Sequence, residues 1–161
     1  MTGYLADDSA PHVDASHSPS PTSQGPLDKK RIRIQHLQAA KEQGVKISML
    51  TAYDALTASI FNQAGIDMIL VGDSLGNVVL GYSSTLPVTI EDMERATSSV
   101  ARASKRAFIV ADLPFGSYEA SPAHALTNAV RLMKAGAHAV KLEGGAQRAA
   151  TVKLLTEAVI P

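Results

Sequence analysis

The sequence contains no cysteine and no tryptophan, and it has only four tyrosines and three phenylalanines among 161 residues. The absence of cysteine excludes disulfide bonds, thiolate nucleophiles and zinc sites with Cys ligands, and it is compatible with a reducing compartment. Aromatic residues make up 4% of the chain and hydrophobic residues 45%, so we expect an aliphatic core rich in alanine. The length suits one domain or part of one.

An excess of charge of either sign is also absent, because 15 Lys and Arg residues balance 15 Asp and Glu residues. We therefore expect neither nucleic acid nor a membrane as a partner. No apolar run reaches the roughly 18–20 residues of a membrane span. The N-terminus lacks an apolar signal core and carries Asp7, Asp8 and Asp14, unlike a secretory signal or a transit peptide. These features predict a cytoplasmic protein.

Residues 1–28 differ in composition from the rest of the chain. Ser, Pro, Thr, His and Asp dominate there, and few large apolar side chains are present to offset the entropy lost on ordering. This composition predicts a disordered tail, in which we interpret His12 and His17 as solvated rather than as metal ligands. The ordered part is then expected to span residues 29–161.

Strand and helix patterns alternate through residues 29–161. Strands are predicted over 47–53, 68–72, 108–113 and 139–142. Helices are predicted over 29–43, 55–64, 90–103, 122–135 and 147–158, with a long loop over 77–88. Thr89 is the predicted N-cap of the third helix, with Asp92 as its capping-box partner. The alternation predicts a parallel sheet, either doubly wound or part of a (β/α)₈ barrel of about 250 residues. Because a fifth strand would begin at Ile160, we expect the N-terminal half of a longer TIM barrel.

An acidic residue lies at the end of every predicted strand: Asp54, Asp73, Asp112 and Glu143. The carboxyl ends of parallel strands share one edge of a sheet, and a cluster of carboxylates there is costly unless a cation compensates. Mg²⁺, a hard cation with oxygen ligands, would do so. Asp54 is better explained as a helix N-cap, because a helix follows at once. For Asp73 and Asp112 a metal site and a structural role both stay open.

Lys141 lies within the fourth predicted strand, two residues before Glu143, so both side chains are expected on one face. A lysine in a buried strand requires a partner. It either forms an ion pair with a nearby carboxylate or holds an anionic substrate beside the metal. The pair Gly144–Gly145 permits close approach of a ligand to the backbone, or simply forms a turn.

Covalent and nucleotide chemistry find no support in the sequence. Ser74 lies next to Asp73 and can hydrogen-bond a substrate, but no histidine is placed to activate it as a nucleophile. His124 and His138 lie away from the strand ends and are interpreted as structural or exposed. Neither a G-x-G-x-x-G pattern nor a Walker A loop is present.

Five ordered motifs resemble a known family. They are Thr51-Ala52-Tyr53-Asp54, Val71-Gly72-Asp73-Ser74-Leu75-Gly76, Ser84-Thr85-Leu86-Pro87-Val88-Thr89, Ala111-Asp112-Leu113-Pro114-Phe115 and Val140-Lys141-Leu142-Glu143-Gly144-Gly145. Together they resemble the 3-methyl-2-oxobutanoate (ketopantoate) hydroxymethyltransferase family, over the stretch from about Lys46 to Pro161. The resemblance implies a (β/α)₈ barrel of the phosphoenolpyruvate mutase/isocitrate lyase type.

The resemblance also implies an activity. A hydroxymethyl group would pass from 5,10-methylenetetrahydrofolate to 3-methyl-2-oxobutanoate, giving 2-dehydropantoate for pantothenate and coenzyme A biosynthesis. The implied cofactor is Mg²⁺, which stabilises the enolate of the keto acid. The implied partners are the small-molecule 2-oxo acid, the folate and further copies of the chain in a homo-oligomer.

The family's site residues carry over by motif. The Mg²⁺-associated acids fall on Asp73, Asp112 and Glu143, and the keto-acid contacts fall on Asp73, Ser74, Asp112 and Lys141. The family's catalytic base is a glutamate in the second half of the barrel, which would lie beyond Pro161. No catalytic base is therefore expected in these 161 residues, and we expect the chain alone to be inactive or poorly folded.

Two other functions fit the same residues. One is another Mg²⁺-dependent lyase or mutase of 2-oxo acids, which would not depend on methylenetetrahydrofolate. The other is a non-catalytic half-barrel that serves as a binding module and binds no Mg²⁺. The loop over residues 77–88 separates an enzyme from a binding module. In an enzyme, this loop is expected to act as an active-site lid that becomes ordered when keto acid and Mg²⁺ are added.

Overall fold

The computed structural model describes residues 25–161. The predicted tail lies outside the described residues over 1–24, and His12 and His17 with it. The α-helices within residues 25–161 are α1 (Ile34–Glu42), α2 (Ala55–Gln63), α3 (Leu75–Val78), α4 (Ile90–Ala103), α5 (Pro122–Ala135) and α6 (Ala149–Glu157). The four strands are β1 (Met49–Thr51), β2 (Met68–Val71), β3 (Phe108–Asp112) and β4 (Ala139–Lys141).

The strands form one parallel sheet in the order β1-β2-β3-β4. Each strand therefore pairs with its neighbour in sequence, and the order does not reverse within the sheet. A doubly wound sheet needs such a reversal, whereas a (β/α)₈ barrel adds its strands in sequence. The N–H of Val140 also donates to the carbonyl of Pro161 at 3.0 Å, on the side where a next strand would pair. The sheet is that of half a barrel.

The main core lies between the sheet and helices α2, α4, α5 and α6. Alternate residues of the two central strands are fully buried on this face: Ile69, Val71, Ile109 and Ala111. The two-residue period of a strand sends the intervening side chains to the opposite face. There, at the amino end of the sheet, a second cluster is formed by residues of α1 and its preceding arm with the strands: Leu27, Ile32, Leu37, Ala40, Phe108 and Ala139.

Local capping explains where the helices that follow the strands begin. Asp54 accepts a hydrogen bond from the N–H of Thr57 at 2.8 Å, so its predicted N-cap role is confirmed. Thr89 and Asp92 cap α4 reciprocally, as predicted. Ser121 caps α5, whose first residue is a proline. Each cap fixes the residue at which its helix begins, directly after the preceding strand or loop in the sequence.

The predicted start of the first helix, at residue 29, is wrong. Arg33 is extended, with φ −129° and ψ 165°, and α1 begins only at Ile34. The N–H of Ile32 donates to the carbonyl of Arg106 at 2.8 Å, and the Ile32 side chain is buried. Leu27, which the sequence assigns to the tail, is buried as well. Residues 25–33 thus form an arm across the amino end of the sheet, because tertiary contacts outweigh helix propensity there.

Three other boundaries differ from the predictions. The strands are shorter than predicted, and β1 retains only three residues. The region after β2 is not entirely loop, since α3 begins at Leu75. The last helix begins at Ala149, after a 3₁₀ turn over Ala146–Arg148. None of the helices within residues 25–161 has the length and apolar character needed to cross a bilayer.

Candidate active site

A small cavity of about 140 Å³ opens at the carboxyl edge of the sheet. Four of the residues predicted from the strand ends line it: Asp73, Asp112, Lys141 and Glu143. The rest of its lining comes from the loop after α3 and from the segment after β3: Thr85, Leu86, Leu113, Phe115 and Tyr118. Ser74 is not part of this lining, although it adjoins Asp73.

Asp112 is the most buried ionisable residue of the cavity, with 5% of its surface exposed. Its Oδ2 accepts a hydrogen bond from the backbone N–H of Asp73 at 3.2 Å. Its Oδ1 lies 2.8 Å from Nζ of Lys141, but the two groups are not aligned as a hydrogen bond. No other donor among residues 25–161 reaches this buried oxygen. Asp112 is therefore held by one backbone N–H and one ammonium group.

The pKa of Asp112 reflects this environment. Burial raises the pKa of its carboxyl group, and the Lys141 ammonium and the N–H of Asp73 offset the increase only in part. The Asp73 carboxylate raises the pKa further by like-charge repulsion. A cation at this position would relieve both the desolvation and the repulsion.

Lys141 ends β4 and pairs with two carboxylates. Nζ lies 2.8 Å from Oδ1 of Asp112 and 3.4 Å from Oε1 of Glu143. Burial lowers the pKa of the ammonium, but the contacts with Asp112 and Glu143 offset this, so the pKa lies above its ordinary value. The ion pair considered from the sequence is thus present. Because 39% of the side chain stays exposed, the ammonium also remains open to an anion in the cavity.

The predicted metal ligands are only partly assembled. Asp73 and Asp112 are adjacent, whereas Glu143 lies beyond the end of β4 with 81% of its side chain exposed. Within residues 25–161, no three His, Cys, Asp or Glu side chains converge closely enough to hold a metal ion. Mg²⁺ often uses only one or two carboxylates, with water and substrate completing its shell. The adjacent acids Asp73 and Asp112 fit that mode, and Glu143 as a third ligand stays a prediction.

Ser74 is oriented by a residue that the sequence did not single out. Its Oγ lies 2.9 Å from the hydroxyl of Tyr53, which follows β1 at the same edge of the sheet. Gly72 makes room for this arrangement, because a Cβ there would lie 2.9 Å from Oγ of Ser74 and 3.6 Å from Oδ2 of Asp112. The position of Tyr53 just before Asp54, at a strand end, was the available signal.

The loop over residues 77–88 covers one side of the cavity through Thr85 and Leu86. Its end is anchored by Val88, which is 3% exposed and packs against Gly76. On the other side, the buried ring of Tyr118 lies under the guanidinium of Arg148, 5.4 Å from the ring centroid. Leu86 and Tyr118, which line the cavity beside the acids, lie outside the strands and helices. Reasoning from the ends of strands therefore could not identify them.

Two of the three histidines within residues 25–161, His124 and His138, lie away from this cavity, as expected from the sequence. His124 contacts Asn128 within α5. His138 precedes β4 at the amino end of the sheet, where its Nδ1 accepts a hydrogen bond from the N–H of Ile109. Neither approaches Ser74, so the cavity offers charge, metal ligation and hydrogen bonds rather than a Ser–His nucleophile.

Comparison with known proteins identifies the family of the chain. The family model of ketopantoate hydroxymethyltransferase matches residues 31–161. The 3-methyl-2-oxobutanoate hydroxymethyltransferase of Leifsonia xyli subsp. xyli is 56% identical over 149 residues, which cover 92% of this chain and 51% of that protein. The protein of that name from Thermobifida fusca is 57% identical over 148 residues, which cover 91% and 53%. The chain thus spans about half the length of these curated relatives.

Solved structures show the same fold at low sequence identity. A 2,3-dimethylmalate lyase, a member of the PEP mutase/isocitrate lyase superfamily, matches with a TM-score of 0.59 at 19% identity, over 78% of this chain and 49% of that one. A phosphonopyruvate hydrolase in complex with oxalate and Mg²⁺ matches with a TM-score of 0.55 at 19% identity, over 66% and 36%. The sheet order, the matched residues and the identity to full-length relatives lead to one conclusion: the chain belongs to the ketopantoate hydroxymethyltransferase family.

Proposed function

We propose that this chain forms the metal- and keto-acid-binding half of an enzyme that transfers a hydroxymethyl group to 3-methyl-2-oxobutanoate, giving 2-dehydropantoate. The observation that carries the proposal is the buried Asp112 carboxylate, which lies between the backbone N–H of Asp73 and the Lys141 ammonium, beside the Asp73 carboxylate that raises its pKa. The names of relatives more than 50% identical supply the substrate.

Mg²⁺ is the proposed cofactor, with Asp73 and Asp112 as its protein ligands and Glu143 as a third. The raised pKa of Asp112, which Lys141 offsets only in part, supports this assignment. The similar phosphonopyruvate hydrolase binds Mg²⁺ together with oxalate, whose adjacent oxygen-bearing carbons resemble the head of a 2-oxo acid. When bound, Mg²⁺ supplies Lewis-acid stabilisation for negative charge on the keto-acid oxygens.

The residues of this chain act on the keto acid by charge and hydrogen bonding. Lys141 adds positive charge where the enolate oxygen becomes negative, and its raised pKa keeps it protonated near neutral pH. Ser74 donates a hydrogen bond to the substrate, while the Tyr53 hydroxyl fixes the direction of Oγ. The loop over 77–88 excludes water from the cavity through Thr85 and Leu86.

Other parts of the reaction rest on the family resemblance. The base that removes the C3 proton of the keto acid is expected beyond Pro161. 5,10-Methylenetetrahydrofolate is the proposed one-carbon donor, and no residue described here is assigned to it. A cytoplasmic location and a homo-oligomeric state stay predictions.

An activity assay tests the proposal. The 161-residue chain and a chimera that adds the second half of the Thermobifida fusca relative would each be given 3-methyl-2-oxobutanoate, Mg²⁺ and 5,10-methylenetetrahydrofolate. We expect 2-dehydropantoate from the chimera and not from the chain alone. Consumption of the keto acid without methylenetetrahydrofolate would instead indicate a lyase or mutase. Product formed by the chain alone would refute the assignment of the base beyond Pro161.

A further inference from the structure

A cluster of nitrogen donor groups lies at the amino end of the sheet, opposite the candidate active site. Arg31, Arg33 and His138 line a surface cavity of about 460 Å³. No Asp or Glu side chain contributes to its lining. Within the described part of the chain, neither arginine forms a salt bridge. The two guanidinium groups therefore have no Asp or Glu side chain of the cavity to neutralise them; Pro161 also lines the cavity.

The imidazole of His138 is held in one orientation by the backbone of β3. The N–H of Ile109 donates to Nδ1 at 2.9 Å, and the N–H of His138 donates to the carbonyl of Ile109 at 2.8 Å. The ring also packs on Phe108, with 5.3 Å between the centroids. Because Nδ1 accepts a hydrogen bond, the proton of the neutral imidazole lies on Nε2.

The Nε2–H group meets another donor instead of an acceptor. Nη2 of Arg31 lies 3.0 Å from Nε2, and a guanidinium group has only donors. Burial lowers the pKa of His138, and the charges of Arg31 and Arg33 lower it further, which favours the neutral ring. Two N–H groups thus converge on the cavity without an acceptor between them.

We propose that this cavity binds the oxyanion group of a small molecule, a phosphate or a carboxylate, which accepts hydrogen bonds from Arg31 and from Nε2 of His138. Arg33 adds charge to the same site. A planar guanidinium group suits such oxyanions because it offers two parallel N–H donors. The cavity exceeds the size of a phosphate ion, and Phe108 and Met133 form part of its wall, so the ligand carries an uncharged body beside its anionic group.

Titration with inorganic phosphate tests the site in the intact, ¹⁵N-labelled protein. The readout is the chemical shift of the two ring nitrogens of His138, which report hydrogen bonding at each nitrogen. We expect a saturable shift at Nε2 with Nδ1 still unprotonated. Arg31→Gln is expected to weaken phosphate binding by about tenfold or more, the usual size of a lost charge-assisted hydrogen bond. Arg102→Gln, at an exposed arginine of α4, is the matched control and should bind as the parent does.

Parallel titrations with acetate distinguish the two oxyanions, since a phosphate site responds more weakly to acetate at equal concentration. If Arg31→Gln does not fold, Arg31→Lys retains the charge without the planar fork and should show a smaller loss. The site is refuted if phosphate produces no saturable shift at Nε2. It is also refuted if the Arg31 variants bind phosphate as tightly as the Arg102 control. Neither outcome depends on the proposed transferase activity.

Discussion

At the scale of single residues, the candidate site is organised by the buried carboxylate of Asp112. One oxygen accepts a hydrogen bond from the backbone N–H of Asp73. The other forms an ion pair with the Lys141 ammonium, without the alignment of a hydrogen bond. The raised pKa of Asp112 shows that Lys141 compensates the burial and the Asp73 charge only in part, which is the environment expected beside the proposed cation.

The Tyr53 hydroxyl is expected to act through Ser74. Tyr53→Phe removes the 2.9 Å hydrogen bond and leaves Oγ free to rotate away from the substrate. We expect the affinity for 3-methyl-2-oxobutanoate in the presence of Mg²⁺ to fall by about 2- to 12-fold, the range of one neutral hydrogen bond. Calorimetry of keto-acid binding measures this change.

Two controls separate positioning from a general loss of structure. Tyr82→Phe removes a hydroxyl from the covering loop that forms no hydrogen bond within residues 25–161, and it should leave the affinity unchanged. In Ser74→Ala, the added Tyr53→Phe substitution should have little further effect. If the two substitutions instead weaken binding additively, Tyr53 does not act through Ser74.

Much of the site follows from the sequence, because residue type and strand position are both local. The ends of parallel strands share an edge, and Asp73, Asp112, Lys141 and Glu143 do line one cavity there. Tyr53 could not be identified in this way, because its hydroxyl contacts Ser74, which is 21 residues away in the sequence. Tyr118 and Phe115 lie on a loop, and no periodicity gives the direction of a loop side chain.

At the scale of elements, the start of a helix can be predicted from the sequence where the residues at that start cap it. The reciprocal cap of Thr89 and Asp92 and the Ser121–Pro122 start follow directly from the sequence. The arm before α1 does not, because the buried Ile32 and its backbone hydrogen bond to Arg106 are tertiary contacts. The basic residues around Ile32 gave no sign of that contact.

The cap of α4 makes a measurable contribution to stability. Thr89→Ala removes the side-chain acceptor for the N–H of Asp92. We expect the free energy of unfolding to fall by about 1 kcal/mol, measured by urea denaturation. Thr127→Ala on α5 is the matched control, because the Thr127 hydroxyl only bonds back to the carbonyl of Ala123. That control should be neutral or slightly stabilising, and an equal loss in both variants would contradict the capping role.

At the scale of the whole molecule, the two ends of the sheet have different tasks. The carboxyl end holds the candidate site, and the amino end is tied together by Asp67 and Arg106. Asp67 accepts hydrogen bonds from the N–H and the hydroxyl of Ser48 at 2.9 and 2.7 Å. Arg106 donates to Asp67 and to the carbonyls of Leu27 and Gly65, each within 2.9 Å. These contacts join the arm, β1, β2 and β3.

This network predicts a pH-dependent stability. Burial raises the pKa of Asp67. The hydrogen bonds from Ser48 and the charge of Arg106 lower it by more, so the pKa lies below its ordinary value. A depressed pKa stabilises the fold above the pKa of the unfolded chain, and the stabilisation is lost as the pH falls through the folded-state value. Asp67→Asn is expected to cost about 2 kcal/mol at pH 7, and less as the pH falls below about 4.

Urea denaturation of both proteins between pH 7 and pH 3 measures that difference. Glu157→Gln breaks an exposed pair with Lys153 at 3.6 Å and serves as the control, with an expected effect near zero at every pH. A difference between Asp67→Asn and the parent that stays constant over this range would contradict the assigned role of the Asp67 carboxylate.

For the whole molecule, the central claim is that Asp112 and its neighbours bind a 2-oxo acid through Mg²⁺. Calorimetric titration of the protein with 3-methyl-2-oxobutanoate, with and without Mg²⁺, tests it most directly. We expect binding only with Mg²⁺, at least tenfold weaker in Asp112→Asn, and unchanged in Asp54→Asn, where asparagine still caps α2. Keto-acid binding that is independent of Mg²⁺, or equal in the two variants, would contradict the account.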